Sequence, residues 1–244
     1  MTTLRRIVRK LAPMQLRLAV AMARRAWNDA LGRADFANDT AGVKGLAQIV
    51  AIAQPIRRTA HFEGKLHNLK LAARTLNGLR IHPGATVSFW RVVGRPVERR
   101  GFQIGRAIVN GRLDADIGGG LCQVASLLYE LGLRTGMTTV ERHPHSRDLY
   151  TEDTRFTPLG LDAAIVWGFK DVRWMNTHEQ AVTLAFDVEG ETLHGRLFAT
   201  TPIPSYDLHV TRHDDGTLRR VEVTRTLRDD RVVVSRDTYV IDPS

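Results

Sequence analysis

The chain has a single cysteine, in the segment D-I-G-G-G-L-C-Q-V-A-S-L-L-Y at residues 116–129, where a glycine run gives way to a helical pattern. A thiolate is a strong nucleophile, and the first turn of a helix offers unpaired N–H groups and the positive end of the dipole, both of which favour an anion. Val124, Leu127, Leu128 and Leu131 repeat at i, i+3, i+4 and i+7. This spacing predicts an amphipathic helix with one buried face, ending near Gly132 or Gly136 and carrying Cys122 in its first turn. Three consecutive glycines cost backbone entropy and pack nothing, so Gly118, Gly119 and Gly120 point to a backbone that turns or approaches something closely. A free cysteine is also commonly a small buried hydrophobe, so the thiol needs partners before it counts as a nucleophile.

Partners follow downstream. In E-R-H-P-H-S-R-D at residues 141–148, His143 and His145 share one face if the stretch is extended, and Pro144 makes that stretch an edge strand or a loop. A further extended run, L-D-A-A-I-V-W at residues 161–167, carries Asp162 near its start. A thiol at a helix start, an imidazole on a following segment and a carboxylate beyond it follow the logic of Cys-His-Asp catalysis. The imidazole would hold the thiolate as an ion pair, and the acid would fix its tautomer. Spacing alone lets either His143 or His145 take that role. Amides near Gly119, Gly120 or Cys122 would form an oxyanion hole, with Gln123 adding a side-chain donor.

Plainer roles exist for the same residues. A half-buried histidine is often a hydrogen-bonded structural group, and Asp162 would serve equally to end a turn. Cys122, His143 and His145 also have the donor types for zinc. No second cysteine, His-Glu-x-x-His or Cys-x-x-Cys accompanies them, so neither a metal nor another cofactor is expected. No Gly-Lys-Ser/Thr follows the glycine run, which excludes a phosphate loop.

These groups must be held by larger elements. A helical pattern dominates from Leu4 to about Leu79, with Leu66, Leu69, Leu71, Ala72 and Leu76 as apolar positions. Pro83 and Gly84 form a turn, residues 86–93 read as a strand, and residues 106–110 read as another before a turn at Asn110 and Gly111. After the Cys122 helix, strands are predicted near residues 138–141, 162–167, 172–175, 181–188 and 192–199, the last two forming a hairpin through Glu189 and Gly190. Strands at residues 207–212, 217–225, 232–235 and 238–241 complete an antiparallel tail with one solvated face. The fold class is α+β: a helical N-terminal part followed by a mostly antiparallel sheet packed by the helix starting at Cys122. Its layout is loosely papain-like, an analogy that carries no function by itself. Three segments are expected: a basic helical segment over residues 1–60, a central domain over 61–200 and a β tail over 201–244.

At 244 residues and 43% hydrophobic, the chain can bury one full core. One cysteine excludes an internal disulfide and leans towards the cytoplasm. The uncharged stretch at residues 45–56 lies too far in for a signal peptide and is too short to span a bilayer, so neither export nor a transmembrane helix is expected. Residues 1–60 hold eleven Lys or Arg against three Asp, a net +8 of the chain's formal +9. Leu4, Ile7, Val8 and Leu11 repeat at helical spacing beside Arg5, Arg6, Arg9 and Lys10. Such a segment suits either the anionic inner face of a membrane or a solvated helix packed on the domain. Nucleic acid is not expected as a partner, because no zinc finger, RNP pattern or basic-aromatic stripe accompanies the charge.

Four motifs occur in order: H-N-L-K-L-A at residues 67–72, V-S-F-W-R-V-V-G at 87–94, G-G-G-L-C-Q at 118–123 and R-H-P-H-S at 142–146. Together they make residues 61–200 resemble the VanW family, found with glycopeptide-resistance gene clusters and among bacterial cell-envelope proteins. The first two motifs look closest to its short stand-alone members. The resemblance implies L,D-transpeptidation of peptidoglycan, in which a thiolate attacks a stem-peptide carbonyl and an amine resolves the thioester. It implies Cys122 as nucleophile, His145 in the R-x-x-H-S match as base, His143 as a weaker candidate, and Asp162 in a G-x-D-A pattern. Gly118, Gly119, Gly120, Gln123, Arg142 and Ser146 would line the oxyanion and substrate surface. Ala125 stands where many members have Ser and Leu161 where many have Arg, two departures that bear on specificity.

Two functions are therefore open. One is a cysteine acyltransferase or amidase acting on peptidoglycan stem peptides or precursors. The other is a non-catalytic accessory protein, cytoplasmic or at the membrane surface, that binds cell-wall precursors in a notch formed by Cys122 and the glycine loop.

Overall fold

The computed structural model describes residues 13–109, 112–151 and 154–241. In chain order its elements begin with α1 (Met14–Leu31), β1 (Asp39–Thr40), β2 (Ala47–Pro55), α2 (Phe62–Leu76), β3 (Leu79–Ile81), β4 (Thr86–Ser88) and α3 (Phe89–Val93). After a 3-10 turn at Glu98–Arg100 come β5 (Ile104–Val109), β6 (Arg112–Ile117), α4 (Leu121–Arg134), β7 (Thr138–Glu141) and β8 (Arg147–Asp148). The rest is strand: β9 (Arg173–Met175), β10 (Val182–Glu189), β11 (Thr192–Ala199), β12 (Asp207–Asp214), β13 (Leu218–Leu227) and β14 (Asp230–Ile241). The class is α+β, with helices interleaved among mostly antiparallel sheets.

The core rests on a five-stranded antiparallel sheet in the order β1-β3-β10-β11-β2. On one of its faces lie α2, against β10, and α4, against β11 and β2. Leu69, Ala72 and Leu76 of α2 and Val124, Leu127 and Leu131 of α4 are fully buried with Leu184, Leu193 and Leu197 of the sheet. Every residue of α4 from Gln123 to Leu133 is buried. The expected one-faced amphipathic helix is therefore a central helix, enclosed by the five-stranded sheet, by α2 and by the small sheet β4-β9-β7. A helix held on all sides fixes the direction of its first turn, and that turn carries Cys122.

Several sequence expectations are corrected. The helical pattern does not run on to Leu79: residues 47–55 are the edge strand β2, whose Val50 and Ile52 pair with Leu197 and Gly195 of β11. β-branched residues fit a pleat better than a helix, but only pairing with a strand some 140 residues later makes this choice. Residues 86–93 divide into β4 and the short α3, whose start is capped by Ser88 Oγ accepting from the Arg91 amide. Residues 162–167 form no strand, and pairing there is limited to a bridge between Val166 and Lys170. The hairpin β5-β6 includes a strand at residues 112–117 that the pattern did not reveal. The predicted strands at 232–235 and 238–241 are one strand, β14, passing a register shift opposite Val223 and Thr224. The basic repeat at residues 4–11 and the turn at 110–111 lie outside the described residues. Among the described residues, no helix is long and apolar enough to cross a membrane.

Candidate active site

The glycine run is shaped by what it touches. Gly118 and Gly120 have φ of 80° and 97°, and a Cβ on Gly119 would lie 2.0 Å from the Gly105 carbonyl oxygen. Asn68 of α2, fully buried, clasps the loop. Its Nδ2 donates to the Gly119 carbonyl at 3.0 Å and to the Gln103 carbonyl at 2.8 Å, while its Oδ1 accepts from the Gln103 amide at 2.8 Å. The loop is thus pinned between α2 and β5, and α4 starts at Leu121 with half-buried Cys122 in its first turn.

The two histidines part company. His145 Nδ1 bonds Asp162 Oδ2 at 2.6 Å, and the His145 amide donates to the same oxygen at 2.9 Å. Its other ring nitrogen, Nε2, is buried without an aligned hydrogen-bond partner, and the group it acts on is the Cys122 thiol. His143 turns away: its Nε2 sits 3.1 Å from Glu141 Oε1 and its side chain is 39% exposed. The alternation expected to align both histidines fails because residues 142–145 are irregular, leaving His145 alone between acid and thiol. His143 also points its donor at Glu141, so it does not converge with Cys122 and His145 as a zinc set requires. Among the described residues no group of three His, Cys, Asp or Glu is arranged to hold a metal.

Electrostatics couple the three groups. Burial by itself pushes the Cys122 thiol up, but the nearby His145 ring with its positive charge, and the Ile165 amide, outweigh this and hold the thiol below its ordinary value. Burial opposes charge on His145 as well, yet Asp162 and the thiolate raise the imidazole to about 10. Asp162 is pushed up by burial and more strongly down by His145 and Arg142, so it stays ionised well below the usual carboxylate range. The three groups are thus coupled: His145 lowers the thiol, and the thiol and Asp162 together raise the imidazole.

A second layer holds the carboxylate. Asp162 Oδ1 accepts from Tyr239 Oη at 2.6 Å, from the Gly160 amide at 3.2 Å and from Arg142 Nη2 at 3.2 Å. Arg142 also donates to the Asp162 and Gly160 carbonyls and to Asp237. Ser126 Oγ donates to the Cys122 carbonyl at 2.7 Å and accepts from the Ala163 amide at 2.9 Å, tying the first turn of α4 to the acid-bearing loop.

The expected substrate surface is redrawn by these contacts. Arg142 has a side chain only 5% exposed and is committed to Asp162 and Asp237, so it positions the acid and does not face a substrate. The Gln123 side-chain donor bonds the Pro55 carbonyl at 3.0 Å, away from the thiol. The Gly118 and Gly119 amides are taken by the Gln103 and Asp116 carbonyls. Among the described residues the Gly120 and Cys122 amides have no hydrogen-bond partner, so both are free to donate to a bound group. Ser146 is exposed. Ala125 and Leu161 are buried in the core, so the two departures noted at these positions do not alter an exposed surface. Asn68, Ser126 and Tyr239 were not anticipated as site residues; for Asn68 the signal was a polar residue on the apolar face of α2. A surface depression of about 720 Å³ at the starts of α2 and β5 includes none of Cys122, His145 or Asp162.

A family model described as VanW like protein matches residues 64–198. The vancomycin B-type resistance protein VanW of Enterococcus faecalis is 36% identical over 137 residues, 56% of this chain and 50% of that protein. The uncharacterized protein YoaR of Bacillus subtilis is 31% identical over 143 residues, 59% of this chain and 46% of that protein. The chain thus spans about half the length of these relatives. No solved structure matches it.

Proposed function

The chain belongs to the VanW family, and from that membership together with the site we propose that it is a cysteine acyltransferase or amidase, of L,D-transpeptidase type, acting on peptidoglycan stem peptides. The observation that carries the reading is the line of Cys122, His145 and Asp162 at the start of a buried helix. In the proposed reaction the Cys122 thiolate attacks a peptide carbonyl, and the developing oxyanion is met by the Gly120 and Cys122 amides. The C–N bond breaks as His145 passes its proton to the leaving amine. An incoming amine, or water, then takes the acyl group, returns a proton to His145 and frees the thiolate. The stem-peptide substrate is carried over from the family resemblance, and the papain-like layout extends only to this order of nucleophile, base and acid. The name of the E. faecalis relative ties that protein to vancomycin resistance, which supports a cell-wall substrate.

The test is intact mass of the full chain incubated with a synthetic stem tetrapeptide. A thioester adduct on Cys122 that turns over with an added amine is expected, and it should vanish in Cys122→Ala. Turnover retained by Cys122→Ala would remove the mechanism.

A second reading is favoured by one observation on α1. Leu18 and Met22 face Gly168, and Arg25 pairs with Glu141, so this side of α1 packs on the body. The opposite side presents Leu16, Val20, Trp27 and Leu31, each more than half exposed, with Arg17 and Arg24 on their flank. An apolar stripe with Trp and flanking Arg suits the surface of an anionic bilayer. On this reading the protein is an accessory that binds precursors at the inner membrane face. Co-sedimentation with phosphatidylglycerol vesicles checks it: Trp27→Glu should weaken attachment, and attachment indifferent to Trp27 would count against α1.

A further inference from the structure

The five-stranded sheet ends on β2, and this edge differs from every other strand edge in the molecule. A free edge templates further pairing, and folded proteins blunt their edges by shortness, charge, capping or cover. β1 and β8 are two residues long, β4 is three and bridged to Phe36, and β7 is four. β5 is covered by α2, where Gly64 lets the helix lie against the Ile104 carbonyl. The edge amides of β6, at Ala115 and Ile117, donate to Oδ1 of Asp114 and Asp116, each at 2.8 Å. β12 carries Asp207, His209, Arg212, His213 and Asp214. Among the described residues, β2 alone presents a long edge with none of these devices: its nine residues, A-Q-I-V-A-I-A-Q-P, hold no charge.

The ladder fixes where its backbone groups point. The Ile56 amide donates to the Glu191 carbonyl on the β11 side. By alternation, Gln54, Ile52 and Val50 turn their amides and carbonyls to β11, while Pro55, Ala53 and Ala51 turn theirs to the open edge. The Pro55 carbonyl is taken there by Gln123. Ala51 and Ala53 are exposed, whereas Val50 and Gln54 face the core and Ile52 is half-buried.

We propose that β2 is a homodimer interface, on which a second copy of this chain pairs its own β2 antiparallel about a two-fold axis at Ile52. The occupant follows from the edge itself. An isologous strand pair must fit its own sequence read backwards. About Ile52 this holds: Ala51 meets Ala53 of the partner as a hydrogen-bonded pair, twice, with only methyl groups on the exposed face. Ile52 meets its own equal in the closer, non-hydrogen-bonded pairing, with Cα atoms about 4.5 Å apart. That contact covers a side chain that one copy leaves half-buried. Two chains of net charge +9 repel, and an uncharged strand is where their approach costs least. The pairing joins the five-stranded sheets of two copies into one, and it is independent of the thiol chemistry.

Sedimentation equilibrium of the full chain over a range of concentrations tests the interface. A reversible monomer–dimer equilibrium is expected, strengthened by added salt because salt screens the like net charges. Ala53→Pro is compatible with an edge strand but removes the edge amide from both copies. It should raise the dimer Kd about thirty-fold, the effect of two backbone hydrogen bonds. Ala51→Lys combined with Ala53→Lys sets like charges opposite one another and should abolish the dimer. Ala51→Glu combined with Ala53→Lys sets opposite charges across the same axis and should retain it, with circular dichroism checking that each variant folds. A chain that stays monomeric at its highest soluble concentration overturns the interface. So does a dimer that survives both Ala53→Pro and the Ala51→Lys, Ala53→Lys pair, or one lost instead in Trp27→Glu, which would place the contact on α1. Loss of the dimer in the folded Ala51→Glu, Ala53→Lys variant overturns the axis at Ile52.

Discussion

At the residue scale the chemistry depends on which histidine meets the acid. His145 and Asp162 share a 2.6 Å bond, and the thiol is lowered by His145 in preference to His143. His145→Ala should therefore move the pH midpoint of Cys122 alkylation up to or above the roughly 8.5 of a free cysteine. His143→Ala should leave it near the parent value; the reverse pattern would reassign the base. A sign also follows for stability. The folded imidazole, at about 10, lies above its unfolded value of about 6.5, so its contribution is complete below the latter and fades as pH rises through the former. Asp162 is shifted down, so its contribution holds above the ordinary carboxylate range and is lost only as pH falls below it. Thermal midpoints across pH, compared between the parent and His145→Ala, should converge at alkaline pH. In the sequence both histidines were visible and the choice was not, because Pro144 and the irregular backbone around it decide which ring faces inward.

At the element scale, the glycine loop and the start of α4 are placed by α2 through one side chain. Asn68 satisfies both the Gly119 carbonyl and the backbone of Gln103. Asn68→Ala would leave the Gly119 carbonyl and the Gln103 amide unpaired beside the loop, at a cost of about 2–3 kcal/mol, toward the upper end for an unsatisfied buried group. Urea denaturation should show this loss together with a slower alkylation of Cys122; a stable variant with full thiol reactivity would mean the loop holds itself. The helix itself was legible from the apolar spacing of Val124, Leu127, Leu128 and Leu131. That α4 is enclosed on all sides was not, since the covering surfaces come from strands near residues 50, 174 and 195.

At the scale of the whole molecule, the candidate site reaches beyond the family match. The matched region ends at residue 198, yet Tyr239 and Asp237 of β14 hold Asp162 and Arg142 in place. The meander β12-β13-β14 is thus part of the support for the acid. Tyr239→Phe keeps the ring and removes the hydroxyl that donates to Asp162 and accepts from the Gly160 amide. A loss of about 1–2 kcal/mol is expected from leaving those groups under-satisfied, read by urea denaturation, with a measurable rise in the midpoint of Cys122 alkylation. An unchanged midpoint would mean that Arg142 and the backbone amides suffice to hold Asp162.

What the sequence by itself determined was local: a thiol after a glycine run at the head of a helix, histidines and an acid downstream, and hairpins marked by Glu189-Gly190 and Asp214-Asp215-Gly216. Each rests on periodicity or turn chemistry within a dozen residues. Only the tertiary structure decided that residues 47–55 are a strand, that Asp162 sits on a loop, that His145 and not His143 meets it, and that Arg142 is a buried support. Those outcomes depend on pairing and hydrogen bonding between groups tens to more than a hundred residues apart, where the burial of a charge or an unpaired amide, and not local preference, sets the energy.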